Sequence, residues 1–387
     1  MTDPRFLQIH FLAPYTAALL NRDDAGLAKR LPYGGSLRTR ISSQCLKRHW
    51  RLADDPKRPG GGDVHGLHRI DGADAAYRSR EIVEHKVFGD WASGVDEEVA
   101  KEIKNALLKA VYGDKGADKK SRQTLLLGEV EVAYLTEQAK ALVARAVGDK
   151  KAAKDMATTW LKEHKANLKA LSEGAKLPGG LTGALFGRMV TSDPRANIDA
   201  AVHVAHAFTV HAEEAESDYF IAADDLAREE DTGADTIQET ELTSGLFYGY
   251  VVVDLPGLLA NLGGDAELAG AVLHNLIYLI AEVSPGAKLG STAPYSRASL
   301  MLLEAGDRQP RSLAEAFRKP CSPETGQAVA ALSEYLSALD AAYATGETRR
   351  VMTLSNRDVP GAARGSLAEL ADFVRDLPER LGGTAAA

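Results

Sequence analysis

The chain is poor in cysteine, poor in aromatic residues and without a long hydrophobic run. Two cysteines in 387 residues, Cys45 and Cys321, exclude a disulfide framework and a cysteine-built zinc site, and they fit a reducing compartment. Aromatic residues make up 6% of the chain, too few for a platform that reads bases by stacking. The longest mostly apolar stretch, Leu268 to Val283, is interrupted by His274 and Asn275 and reads as a buried helix, not a membrane span. Met1 to Arg5 has no basic region followed by an apolar core, so no secretory signal is expected there. These absences predict a cytoplasmic protein with a core of its own and no membrane partner.

Acidic residues outnumber basic ones, 54 to 46, for a net charge of −8. They are nonetheless missing from Lys29 to Arg51, which carries seven Lys and Arg. The remainder of the chain therefore carries −15, and general attraction to polyanions is excluded. A concentrated basic segment in an acidic chain points to one local anion site. Pro32 and Gly34-Gly35 predict a loop, with the glycines letting backbone approach a ligand. Leu37 to Ile41 alternates Arg with apolar or small residues and reads as a short strand. Ser42 and Ser43 are N-cap residues for a helix ending near Arg51. On that helix Gln44, Lys47, Arg48 and Arg51 share one arc, opposite Cys45, Leu46, His49 and Trp50. A basic ridge beside a helix N-terminus suits consecutive phosphates.

The rest of the chain predicts an α+β fold. Phe6 to Ala13 alternates as a strand, with Leu7, Ile9 and Phe11 on one side and Gln8 and His10 on the other. Pro59 to Gly62 reads as a linker, and a helical, Lys-rich insertion follows, with periodic stretches at 95–110, 125–147 and 152–171. Residues 186–192 look strand-like and 197–211 helical. Residues 213–242 form an acidic protrusion around the apolar Tyr219-Phe220-Ile221. Leu246 to Leu255 is the clearest strand. A helix over 268–282, a strand over 299–304 and helices over 324–344 and 366–377 complete the chain. With insertions removed, this approaches β-α-β-β-α-β, the ferredoxin-like or RNA-recognition pattern.

Enzymatic alternatives are less well supported. Asp23-Asp24 with His10 or His49 would make an acid/base or metal site, but adjacent residues of a strand face opposite ways. His203 with His206 and His65 with His68 have helix-turn spacing for two metal ligands, without an evident third.

Longer stretches carry a resemblance. Leu20-Asn21-Arg22-Asp23-Asp24, Gly34-Gly35, Arg40-Ile41-Ser42-Ser43-Gln44 and Leu46-Lys47-Arg48 closely resemble the N-terminal signature of the CasC family, the backbone subunit of the type I-E CRISPR surveillance complex, Cascade. The resemblance continues through Gly187-Arg188-Met189 with Thr191-Ser192, Ala205-His206-Ala207 with His211, Asp224-Asp225-Leu226, Ser244-Gly245 before Phe247-Tyr248, and Pro285-Gly286-Ala287-Lys288. It implies a right-hand fold: a modified ferredoxin-like palm (1–58, 183–212 and 243–387), a helical fingers insertion (59–182) and a thumb loop (213–242). It implies copies polymerised head to tail along a CRISPR RNA, which is kinked at intervals and left open to target DNA. The other partners it implies are the large, small, guide-processing and guide-5′-end-capping Cascade subunits. It implies no cofactor, metal or catalytic residue of the chain's own; the alternative is an RNA endonuclease of the related type III backbone kind.

Carried onto this sequence, the guide contacts are Arg22, Lys29, Arg38, Arg40, Ser42, Gln44, Lys47, Arg48 and Arg51, with Arg40 alternatively paired to Asp23 or Asp24. Met189 resembles an apolar wedge beside a displaced base, with core packing as its alternative. Phe220 and Ile221 resemble the thumb tip. Thumb acids, Asp224 and Asp225 among them, are expected to face a neighbouring copy. Lys119, Lys120, Lys150 and Lys151 are candidates for target DNA, or simply solvated lysines.

Overall fold

The computed structural model describes residues 4–55, 62–73, 75–164, 179–190, 196–221 and 237–383. In chain order its strands and first helices are β1 (Phe6–Ala18), β2 (Arg30–Tyr33), β3 (Ser36–Ile41), α1 (Ser43–Arg51), β4 (Ala76–Ser79), α2 (Glu97–Tyr112), β5 (Leu125–Gly128), α3 (Glu129–Ala146) and α4 (Lys150–His164). Then come β6 (Val202–Val204), β7 (Ala207–Thr209), β8 (Glu214–Ile221), β9 (Ile237–Asp254), β10 (Leu300–Gly306), β11 (Thr348–Thr353) and β12 (Ala362–Arg364). Two compact units result. One comprises Met1–Arg69, His203–Leu255 and Gly270–Ala387, the other Ile70–Val202 and Pro256–Ala269.

The first unit is organised by a sheet in the order β12-β11-β10-β1-β9-β7-β3-β2, with β6 and β8 also paired to β9. Its middle, β10-β1-β9-β7, is antiparallel throughout. With α1 between β1 and β7 in sequence, and the helix Ala266–Glu282 between β9 and β10, these elements run β-α-β-β-α-β in the spatial order 4-1-3-2. This is the split-βαβ topology the sequence pattern predicts.

Both faces of β1 are buried from Leu7 to Ala13. Leu7, Ile9 and Phe11 are at most 4% exposed. Gly249 lies opposite Phe11 in the β1–β9 register, and a Cβ there would stand 2.0 Å from the Phe11 ring. Gly249→Ala is therefore expected to destabilise the fold by about 1–3 kcal/mol through overpacking; an unchanged urea-unfolding midpoint would contradict this.

Gln8 and His10, on the other side of the strand, face a second buried layer. There Leu12, Tyr248, Leu300 and Leu302 pack with Phe317 and with Ala328, Val329, Leu332 and Leu336 of the helix Thr325–Tyr343. The sheet face that would stack bases in an RNA-recognition domain is thus occupied by the chain's own C-terminal part. The polar groups in this layer are paired. His10 Nδ1 lies 2.9 Å from Tyr248 Oη, and Nε2 lies 3.0 Å from Glu304. Glu304 also takes Arg311 at 2.6 and 2.8 Å and Arg349 Nε at 2.7 Å.

Several sequence expectations are revised. Residues 197–211 are not a helix: Val202–Val204 and Ala207–Thr209 are short strands added to β9 and β3. The thumb is not a loop at its base but an antiparallel ladder, from Glu214↔Ser244 to Ile221↔Ile237. Asp224 and Asp225 lie outside the described residues.

In the second unit, α2, α3 and α4 bury Val99, Ile103, Leu107, Leu135, Leu142, Ala153 and Trp160 in one core. Leu125 to Gly128, expected at the start of a helix, instead pairs with Ala76 to Ser79 as strand β5. Residues 186–190 are not a strand: a helix ends at Phe186, and Arg188 makes one isolated bridge to Ile198, while Thr191 and Ser192 lie outside the described residues. Glu131, buried on α3, accepts from the backbone N–H groups of Gly128 and Gly179 and pairs with buried Arg188 at 2.7 Å.

Candidate nucleic-acid interface

Helix α1 forms as its sequence predicts. Ser42 is the N-cap, its hydroxyl accepting from Cys45 N at 3.3 Å, and the first turn holds no acid. Leu46, His49 and Trp50 are buried. Gln44 and Arg48 are exposed, with Lys47 and Arg51 half-buried on the same face. Burial holds the Lys47 ammonium below its ordinary pKa. Arg48 and Arg51 occupy the last turn, where cations suit the dipole, so the N-terminus stays open to an anion.

That N-terminus opens on a cleft of 670 Å³ lined by Arg22, Asp24, Ser42, Gln44, Arg48 and Gly286, among others. Asn21 joins its parts: Asn21 Oδ1 accepts from Ser42 N at 2.8 Å. The opposite wall is the Pro285-Gly286-Ala287 turn. It is fixed by Ala287 N donating to Leu19 O at 2.8 Å and by Gly286 N donating to His49 Nε2 at 3.3 Å. His49 Nδ1 in turn donates to Cys45 O at 2.8 Å, which sets the tautomer. Asp23 is consumed locally: its Oδ1 accepts from Ala25 N and Leu27 N, both at 2.9 Å, closing an Asx turn. It is a turn former, not one of an acid pair. Arg22 and Arg48 have no ion-pair partner among the described residues.

A second basic group lies on adjacent strands. Arg40 of β3 accepts no help from Asp23 or Asp24: its Nη1 donates to His206 Nδ1 at 3.0 Å. Arg40 N donates to Lys29 O at 2.7 Å, bringing Lys29 alongside. Burial, then the charges of Arg40 and Lys29, push the His206 imidazole below its ordinary pKa. No carboxylate pairs with Lys29, Arg40 or His206 among the described residues. His206 is the group that sequence reasoning missed here. Its position beside a basic strand was hidden by reading 197–211 as a helix, which also supplied the only ground for pairing it with His203 on a metal.

Two features of the basic segment serve the fold instead. Arg38 is fully buried and is withdrawn as a guide contact. Its guanidinium donates to Thr209 O and Phe317 O at 2.9 Å, to His211 O and Arg318 O at 3.2 Å, and to Tyr33 O at 3.4 Å. Gly34-Gly35 has a role in the fold of its own. It is the two-residue turn between β2 and β3, both glycines at positive φ as a type I′ hairpin requires, and a Cβ on Gly34 would fall 1.6 Å from Arg318 O. Arg30, which precedes both in sequence, is neutralised by Glu213 and Glu241.

Met189 is 71% exposed, so core packing is excluded for it. Phe220 and Ile221 stand opposite Gln238 and Ile237 on the β8–β9 ladder. Lys119 and Lys150 are held in ion pairs by Glu81 and Glu98, whereas Lys120 and Lys151 are exposed without an ion pair among the described residues. No helix among the described residues is long and apolar enough to cross a membrane.

No curated protein sequence matches the chain. A solved chain from a "CRISPR RNA-guided surveillance complex, pre-nicking" is similar over 96% of this chain and 100% of that one, with 25% identity and a TM-score of 0.75. A chain from a second "CRISPR RNA-guided surveillance complex" covers 96% of this chain and 98% of its own, with 22% identity and a TM-score of 0.57, and shares the fold. Residues 7–377 match the CT1975-like proteins, and the chain belongs to that family.

Proposed function

We propose that this protein is a CRISPR RNA-binding backbone subunit of a surveillance complex of the type I-E kind. The observation that carries this reading is the full-length likeness to a chain of a CRISPR RNA-guided surveillance complex. The cleft supports it chemically. Arg22 and Arg48 in the cleft, with Lys47 on the same helix face, offer charge to phosphates, the Gln44 side chain and the backbone N–H groups of Ser43 and Gln44 offer donors to phosphate or 2′-OH, and Lys29 and Arg40 extend the row. Ser42 contributes by capping the helix and by holding Asn21 against its start, and Arg51 by charge. With the sheet face covered, the grip is on the RNA backbone, which suits a protein that accepts any guide sequence.

In this reading several copies coat the guide head to tail and present it to target DNA, beside the large, small, guide-processing and end-capping subunits. Met189 serves as the guide-kinking wedge and Phe220 and Ile221 as the thumb tip; of the four lysines, Lys120 and Lys151 are the ones open to DNA. The chain performs no cleavage itself.

The test is RNA-dependent assembly. Mixed with guide RNAs of increasing length and unrelated sequence, the protein is expected to gain mass in whole-protomer steps. At about four neutralised phosphates per protomer, affinity should fall about fiftyfold between 50 and 200 mM salt. Lys47→Ala/Arg48→Ala should remove the steps and flatten the salt dependence. One protomer bound whatever the RNA length, or metal-dependent RNA cleavage, would overturn the proposal.

A further inference from the structure

We propose that His206 is a positioning residue for Arg40, holding that guanidinium ready for a guide phosphate before the RNA arrives. The inference rests on the RNA-binding reading above. Three arginines of one short segment are held in three different ways. Arg30 meets the carboxylates of Glu213 and Glu241, which cancel its charge. Arg38 is buried under backbone carbonyls. Arg40 alone is held at the surface by a neutral acceptor, His206 Nδ1, at 3.0 Å. A guanidinium only donates, so in this contact the imidazole must be neutral with its proton on Nε2. The charged groups facing His206 are Arg40 on β3 and Lys29 ahead of β2, with no carboxylate among the described residues. These neighbours disfavour the imidazolium and so keep the ring an acceptor. The arrangement fixes the orientation of Arg40 while leaving its full positive charge for a ligand.

A free surface arginine loses rotamer freedom when it engages a phosphate. Fixing it beforehand is worth about two- to tenfold in affinity for each protomer. The full-length protein would be titrated onto a fluorescent single-stranded RNA long enough for several copies, using wild type, Arg40→Ala, His206→Ala, His206→Asn and Arg40→Ala/His206→Ala. His206→Ala is expected to weaken binding about two- to tenfold. His206→Asn should restore it, because Asn Oδ1 takes the place of Nδ1. In the Arg40→Ala background the loss of His206 should add nothing. His206→Leu, which fills the space without an acceptor, should repeat the alanine loss and guards against a variant that fails to fold. The proposal is overturned if the two substitutions add independently, or if asparagine binds as weakly as alanine. If Arg40→Ala and Lys47→Ala/Arg48→Ala all leave binding unchanged, the RNA-binding reading itself fails, a distinct result.

Discussion

Glu304→Gln should cost about 3–5 kcal/mol of folding stability, the effect of breaking a buried ion pair from one side. Glu304 is fully buried and is the common partner of His10, Arg311 and Arg349. Arg349 keeps Asp340, at 2.5 and 2.7 Å, and Glu347 at 3.5 Å, but Arg311 loses its bidentate partner. Burial alone would raise the Glu304 carboxyl; the hydrogen bonds from His10 and Arg311 outweigh it and hold the group well below the usual carboxylate range. His10 moves the same way for the opposite reason, since burial outweighs the Glu304 hydrogen bond and lowers the imidazole below 6.5.

The signs then agree. Below about pH 6.5 the unfolded chain protonates His10 while the folded chain does not, and below about 4.5 the same holds for Glu304, so stability falls as pH falls. Urea unfolding at a series of pH values should show a decline beginning near 6.5 and steepening below 4.5. Glu304→Gln should lower the whole curve and remove the steeper limb. A variant with the wild-type midpoint at neutral pH would refute the central role of this carboxylate.

That network also marks where sequence reading stops. The alternation of Phe6 to Ala13 locates the first part of β1 and sets His10 opposite Leu7 and Ile9, but not the layer over His10, because periodicity records which residues share a face and not what covers it. The covering helix, Thr325–Tyr343, comes some 300 residues later in the chain. Helix α1 and its Ser42 cap were legible because capping is local chemistry. Val202 to Thr209 was not: its alanines and spaced apolar residues fit a helix, and pairing with β9 and β3 overrode that preference. Leu125 to Leu127 failed for a related reason, a short apolar run being compatible with either state. Strands β11 and β12 went unread, as did β2, whose Pro32 and following glycines resemble a loop. Of the basic segment, the α1 face was readable from its angular arc. Arg38 and Arg40 were not separable, since two alternate arginines on one strand look alike until the rest of the fold buries one of them.

Arg38 and Arg48 should accordingly separate under mutation, although sequence alone assigned both to the guide. Arg38→Met removes the donor to five backbone carbonyls, two of them at 2.9 Å. At about 1.5–3 kcal/mol for a hydrogen bond to a charged group, losing those two alone amounts to several kcal/mol. The carbonyls belong to β2, to the β7 region and to the Phe317-Arg318 turn, so the loss should loosen the β2–β3 margin of the sheet as a unit. Arg48 is exposed and without an ion pair among the described residues, and its replacement by alanine should leave the unfolding midpoint within about 0.5 kcal/mol of wild type. RNA binding reverses the order. Arg48→Ala should lower affinity and reduce the salt slope by about 0.7 per protomer, the loss of one phosphate contact on a single strand. Arg38→Met, measured at a temperature where it is still folded, should keep the wild-type slope, because a buried guanidinium releases no counterion. An Arg38→Met protein with normal stability and a reduced slope would return Arg38 to the guide and invalidate the division between fold and interface drawn along this segment.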